Sequence, residues 1–483
     1  MSSEPDLLRR LPVANPWWKG PGWEVRDPDL VAAAAAPFSL RRSILADVAP
    51  DGMYLLLGPR RVGKSVEIKR TISDLLTGGM VRPRQVIHFA CDGLTSADLH
   101  HLVRLARDVM TAEETGPRYW FLDEITAITK GWPGAIKYLR DNHAGFAQDC
   151  VVLTGSSSRQ LLEARKALAG RYGTAPTRRE RYLFPLSFRE FTATTRGPDL
   201  PDLSPVRAAD WISRESREAV DALIPWLTDL GTSWDIYCRV GGYPRAIADF
   251  LTLGEHSDQF VQDLWSVIEG DALQQPGFVT TPTQTSLLID GLTSRLAQPV
   301  SVRALTEQVG FESHHTLESR MSLLEQALLT WRCYPARRGR LYAAPKEQYK
   351  YYFVDPLLAR LASIRNPGAF ATDTAIVTEQ QIGHLLLRQR ETESEGAVVD
   401  FTHLLFLRTP NDREVDFLAA WSDGVAFESK YSEGRLGRDT LTSRAEIQAG
   451  AIRGVVFATR GELRLEGDVW MVPAGILGWL LVR

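Results

Sequence analysis

Gly58-Pro59-Arg60-Arg61-Val62-Gly63-Lys64-Ser65 spells G-x-x-x-x-G-K-S and follows directly on the apolar run Met53-Tyr54-Leu55-Leu56-Leu57. A short buried strand feeding a tight turn and then a helix is the context in which such a loop wraps phosphate. The glycines let the backbone close on the anion, so that loop N–H groups point at phosphate oxygens. Lys64 is placed to neutralise charge on the terminal phosphates, and the Ser65 hydroxyl to ligate Mg²⁺. The expected cofactors are therefore ATP and Mg²⁺, held along residues 58–65.

Downstream, Tyr119-Trp120-Phe121-Leu122-Asp123-Glu124 runs from apolar residues into an acidic pair. It reads as a strand buried on both faces with carboxylates at its carboxyl end. Asp123 is expected in the Mg²⁺ shell, and Glu124 as the residue that polarises the water attacking the γ-phosphate. A third strand, Cys150-Val151-Val152-Leu153-Thr154-Gly155-Ser156, ends in small polar groups. Either Thr154 or Ser156 could hold that water or sense the γ-phosphate. Strands at 53–58, 85–91, 118–123, 150–156 and 181–186 alternate with helices. That order predicts an α/β fold with a parallel sheet covered on both faces.

The 483 residues leave room for two to four domains. The net charge of −3 gives no global pull toward nucleic acid or anionic membrane, so any basic patch must be local. Cys91, Cys150, Cys238 and Cys333 are scattered, which predicts buried thiols in a reducing compartment rather than disulfides or a zinc cage. The N-terminus lacks a basic-then-apolar signal, and no apolar run is long enough to span a bilayer. The expectation is a cytoplasmic chain without a membrane partner.

Residues 1–40, with Asn15-Pro16-Trp17-Trp18 and Pro21-Gly22-Trp23, read as an irregular arm whose tryptophans pack on the next domain or on a neighbouring subunit. The nucleotidase core is expected over 41–190 and an α-helical lid over 191–268. Over 269–365, helix 286–297, helix 301–309 with Ser301 as N-cap, a turn at Gly310 and helix 313–328 precede a strand pair, 328–334 and 340–344. That is a winged-helix order. The wing carries Arg332, Arg337, Arg338, Arg340, Lys346 and Lys350 among Trp331, Tyr334, Tyr342 and Tyr349, a pattern suited to following a DNA backbone. The helix before it is hardly basic, so readout of base sequence is not expected.

Residues 370–483 read as α/β again. Glu414-Val415-Asp416-Phe417-Leu418, a turn at 422–424 and Val425-Ala426-Phe427-Glu428-Ser429-Lys430 give D…E-x-K on two adjacent strands. Period-two geometry puts Glu428 and Lys430 on one face, with Asp416 in reach. Asp416 and Glu428 could then hold Mg²⁺ or Mn²⁺ while Lys430 orients water beside a phosphodiester. This resembles the PD-(D/E)xK nuclease superfamily. The further acid such a site takes from the preceding helix is not at His384, beside Gly383, and Glu379 is the substitute.

Together, several stretches resemble the bacterial and archaeal AAA+ ATPases whose C-terminal domain has a restriction-endonuclease-like fold. They are Asn15-Pro16-Trp17-Trp18, Gly58–Ser65, Leu122-Asp123-Glu124, Leu153-Thr154-Gly155-Ser156-Ser157, Leu168-Ala169-Gly170-Arg171, 185–191 and Gly241-Gly242-Tyr243-Pro244. The resemblance implies an AAA+ core with a lid and subunits assembled into rings, a hexamer favoured. It also implies an arginine finger reaching the neighbour's site, for which Arg171 is the candidate and Arg178, Arg179 and Arg181 the alternatives. Gly241, Gly242, Tyr243, Pro244 and Arg245 resemble the lid motif that lies near the adenine. The resulting expectation is an ATPase that moves or remodels DNA. A nucleotide-gated metal-dependent nuclease and a nucleotide-dependent protein-docking switch are the alternatives.

Overall fold

The computed structural model describes residues 4–79, 81–128, 130–155, 158–174, 178–196, 200–273, 280–337, 341–393, 403–408, 414–431 and 439–482. The chain forms two compact units that part between Phe184 and Pro185.

The first unit is built on five strands: β1 Met53–Leu57, β2 Val86–Ala90, β3 Tyr119–Asp123, β4 Cys150–Thr154 and β5 Glu180–Tyr182. They pair in parallel in the order β2-β3-β4-β1-β5. Every residue of β1 and β4 is buried, as continuous apolar runs require when helices cover both faces. The register pairs Leu56 with Thr154, Leu122 with Leu153 and Ala90 with Asp123. The carboxyl ends of β1, β3 and β4 therefore lie side by side, and the loop 58–63, Glu124 and Thr154 emerge at one rim. An open α/β sheet places ligands at this end of its strands.

The N-terminal arm is not irregular. Leu7 and Leu11 recur one helical turn apart and are fully buried on the helix Glu4–Ala14. A 3₁₀ turn Pro16–Lys19 follows, then the helix Pro28–Ala34, capped by the Asp27 carboxylate. The arm supplies what the edge strand β2 lacks. The Asn15 side chain accepts from His88 N–H at 2.7 Å and donates to His88 C=O at 3.0 Å. Both indoles, Trp17 and Trp18, donate to Val86 C=O, each at 3.0 Å. Side chains thus satisfy the open edge as a further strand would, and so blunt it against pairing with another chain. Asn15→Ala removes two of these bonds from a fully buried site. It is expected to cost about 2 kcal/mol and to raise self-association, checked by urea unfolding and light scattering.

The second unit opens with helices, among them Phe188–Arg196, Leu227–Val240 and Pro244–Leu253. Helices Pro282–Thr293, Val302–Val309 and His314–Gln326 follow. Ser301 caps the second by accepting from Ala304 N–H, and Gly310 ends it in a left-handed conformation. Strands β6 Thr330–Pro335 and β7 Lys350–Phe353 then pair antiparallel. The partner of β6 is thus Lys350–Phe353 and not 340–344. Lys350-Tyr351-Tyr352-Phe353 is buried throughout and fits an interior ladder, whereas 341–344 meets the chain just at and beyond the end of β6, by an Ala336–Ala343 bridge and a bond from Ala344 N–H to Pro335 C=O.

The hairpin does not end the sheet. β6 also pairs in parallel with β8 Leu404–Arg408, which leads through β9 Glu414–Ala419 to β10 Val425–Lys430. With β11 Gly454–Thr459, β12 Arg464–Glu466 and β13 Val469–Pro473 the order is β12-β13-β11-β10-β9-β8-β6-β7. The helix Thr374–Glu393 packs on this sheet so closely that a Cβ at Gly383 would lie 2.7 Å from the rings of both Phe417 and Trp331. No described helix is long and apolar enough to cross a membrane. All four cysteines are buried free thiols.

Candidate active site

The loop 58–65 is shaped by close approach. A Cβ at Gly58 would stand 2.2 Å from Leu183 C=O, so only glycine fits where the loop leaves β1. Arg61 and Gly63 both take left-handed backbone (φ 71° and 94°), and the helix Lys64–Thr77 starts directly after. Its N-terminus supplies unpaired N–H groups and the positive end of the helix dipole to an anion.

Lys64 folds back over the loop, its ammonium donating to Gly58 C=O at 2.9 Å and Pro59 C=O at 3.0 Å. Burial lowers its pKa to about 8, against the pull of Glu124 and Asp123. Bound phosphate would raise that pKa again, so the complex keeps the proton to higher pH than the free protein does. ATP affinity is therefore expected to be steady below pH about 8 and to fall above it, by at most tenfold per pH unit. An ATP titration series across that range checks this, and a flat profile contradicts it.

Ser65 donates to Asp123 Oδ2 at 3.0 Å, and Glu124 N–H donates to Asp123 Oδ1 at 2.9 Å. Burial, with Glu124 beside it, raises the Asp123 carboxyl above its ordinary range. A desolvated carboxylate next to a serine hydroxyl is a hard-oxygen donor pair that suits Mg²⁺, and Ser65 and Asp123 would hold it. The ion would supply charge neutralisation on the phosphates. Glu124 sits in left-handed backbone (φ 50°), a strained conformation of the kind that clusters at active sites. Thr154, at the end of β4, keeps a fully buried hydroxyl with no hydrogen-bond partner among the described residues. Ser156, the sensor named from the sequence, lies outside the described residues.

Arg171 is bound within its own unit. Its guanidinium meets Asp141 at 3.0 and 3.1 Å and donates to Ala169 C=O at 2.8 Å. Of the alternatives, Arg181 pairs with Asp47 and Arg179 lies over the Tyr172 ring.

Residues 241–245 differ from expectation. The glycine pair serves close packing inside the second unit: a Cβ at Gly242 would lie 2.2 Å from Leu186 C=O, and one at Gly241 2.4 Å from Asp355 Oδ1. The Tyr243 ring is fully buried against Phe260 and is no base-stacking surface. Pro244 starts the next helix, and Arg245 pairs with Asp249 at 2.7 Å.

The basic wing also needs correction. Lys350 is buried, its ammonium 3.0 Å from Glu414, 3.1 Å from Glu379 and 3.3 Å from Asp416. Burial works against its charge, but these carboxylates hold its pKa well above the usual lysine value. Arg332 is largely buried between Glu318 and Glu325. Neither is available to a phosphate, because each already neutralises an internal acid. Arg337 and Lys346 are exposed, whereas Arg338 and Arg340 lie outside the described residues.

In the D…E-x-K set, Phe417 pairs with Phe427, a register that sets Asp416 opposite Glu428, and Ser429 N–H donates to Asp416 Oδ2 at 2.9 Å. Glu428 accepts from Ser443 at 2.6 Å and has Lys430 3.8 Å away. Among the described residues no group of three or more His, Cys, Asp or Glu is arranged to hold a metal ion. Glu379, the substitute acid expected from the helix, lies one turn before Gly383 and meets the Lys350 ammonium at 3.1 Å. His384 is buried and held neutral by desolvation.

Residues 50–192 match the family described as an AAA domain. This domain makes the protein an ATP hydrolase. Residues 231–367 of this ATPase match a domain of unknown function, DUF8612. Among curated proteins none matches. Similar solved structures include the Walker-type ATPase PABY2304 of Pyrococcus abyssi, 13% identical over 70% of this chain and 94% of that one, with a TM-score of 0.36. The ORC1 protein of Aeropyrum pernix in complex with DNA is 15% identical over 71% and 96%, TM-score 0.30. A RuvB mutant of Thermotoga maritima is 16% identical over 66% and 92%, TM-score 0.27. Likenesses this loose carry no weight for what the ATPase acts on.

Proposed function

We propose that this ATPase couples hydrolysis in its AAA domain to the binding and remodelling or translocation of DNA, duplex or branched. The observation that carries the reading is the convergence of Lys64, Ser65, Asp123 and Glu124 at one rim of the parallel sheet. Lys64 and the loop N–H groups bind the phosphates, Ser65 and Asp123 hold Mg²⁺, Glu124 orients the attacking water, and the Thr154 hydroxyl supports that water. Subunits assemble as a ring, a hexamer favoured. A neighbour's Arg171 exchanges Asp141 for the γ-phosphate as charge develops there.

The DNA side of the proposal rests on the loop between β6 and β7. Exposed Arg337 lies over the exposed Tyr342 ring at 5.3 Å, and Lys346 is exposed nearby in the sequence. A cation and an aromatic ring on one rim suit a nucleic-acid backbone and a base face. ATPase activity is therefore expected to rise with DNA, and the rise to fall steeply with salt. Arg337→Ala with Lys346→Ala should weaken stimulation on all sequences alike. No stimulation by single-stranded, duplex or branched DNA at low salt would remove this reading.

The second reading, a nucleotide-dependent protein-docking switch, is favoured by the internal engagement of Arg332 and Lys350, which thins the basic surface. It predicts partner capture that depends on nucleotide and is lost in Lys64→Ala, with no response to DNA.

A further inference from the structure

Lys350 opens β7 with its side chain 2% exposed. Its ammonium faces three carboxylates from two elements: Glu379 on the helix Thr374–Glu393, and Glu414 and Asp416 on β9. Glu379 and Asp416 are the helix acid and the strand acid that a nuclease-like site would turn toward a metal. The ammonium stands 3.0–3.3 Å from these oxygens, whereas a divalent ion takes oxygen at about 2.0–2.6 Å, so the carboxylates would have to close in on an ion that replaced it.

The lysine has no easy way out. Its residue pairs with Cys333 on β6 on one side and bridges Pro299 on the other, so the backbone is held from both edges. The acids are likewise committed. Tyr352 donates to the same Glu379 oxygen at 2.6 Å, and Ser429 N–H takes the second oxygen of Asp416. Asp416 is buried and Glu379 and Glu414 are half-buried, and Arg408 reaches only Glu414, at 3.5 Å, so removing the ammonium would leave the other two acids without a cation among the described residues, which is destabilising.

We propose that Lys350 is a built-in cation in the metal position of a nuclease-like carboxylate site. It neutralises Glu379, Glu414 and Asp416 in place of a divalent ion, and the cluster takes up a metal only once the ammonium is gone. The proposal is independent of the DNA reading above. It implies that the second unit keeps its charge balance without bound metal.

The test follows Mn²⁺ binding by electron paramagnetic resonance on the full chain without nucleotide, with Asp123→Asn in every sample to remove the other metal ligand. With Lys350 present, Asp416→Asn is expected to change Mn²⁺ uptake not at all. Lys350→Met is expected to gain one bound Mn²⁺ per chain and a melting temperature that rises with Mn²⁺. Both gains should vanish when Asp416→Asn is added. Uptake that depends on Asp416 while Lys350 is intact overturns the proposal, as does a folded Lys350→Met that binds no extra Mn²⁺. If Lys350→Met does not fold, the first comparison decides on its own.

Discussion

Replacing Glu124 by glutamine is expected to slow ATP hydrolysis by about 10²–10⁴-fold while ATP stays bound. Glutamine keeps the size of the side chain but loses the carboxylate that draws a proton from water. Glu124 follows Asp123 on backbone already bent into the left-handed region, so the substitution leaves the Asp123–Ser65 pair in place. One side effect is specific to this site. Glu124 is the strongest of the charges that keep Lys64 protonated against its burial. Removing it should lower the pH above which ATP affinity falls, moving the midpoint below about 8 while Lys64→Ala abolishes binding outright. Single-turnover hydrolysis and equilibrium ATP binding across pH separate the two effects. A variant that hydrolyses ATP within about tenfold of the original shows that another group activates the water.

The parts of this site legible in the sequence are those whose chemistry is local. Gly58–Ser65 and Leu122-Asp123-Glu124 carry strand, turn and charge within a few residues, and the sheet brings their ends together as the alternation requires. What sequence could not show is partnership across distance. Lys350 and Arg332 look like free cations in a basic, aromatic stretch. Their acids lie on another helix and another strand, and no local period announces them. Glu379 draws attention in the sequence only because the D…E-x-K pattern asks for an acid on the preceding helix, and nothing local ties it to Lys350. Asn15 gives a similar lesson, since its amide imitates a strand for His88, and a side chain standing in for a ladder leaves no alternation to read. The strand at Lys350–Phe353 is not legible in the sequence, because the polar segment before it draws the hairpin too short.

Asp355→Ala is expected to be the most destabilising single change in the second unit, at about 3–5 kcal/mol. The carboxylate is fully buried and serves two backbone donors at once. One oxygen caps the helix Pro356–Arg365 by accepting from Leu357 N–H at 2.8 Å, and the other accepts from Gly242 N–H at 2.7 Å. Alanine orphans both donors in a buried site and removes an N-cap. The loss spreads along the turn, because Gly242 C=O accepts from Leu186 N–H and the Tyr237 hydroxyl donates to Leu186 C=O. Burial raises the Asp355 carboxyl to about 7, above its unfolded value. Its protonated form therefore favours the folded state: the contribution is complete below the unfolded pKa and is lost as pH rises through about 7. Asp355→Asn should flatten that part of the stability profile. Melting with and without ATP isolates the effect, since nucleotide raises only the transition of the unit that binds it. The alanine variant should lower the transition that ATP leaves unmoved, and an unaltered melting profile would mean that the Gly241–Gly242 turn is held by its packing on Leu186 alone.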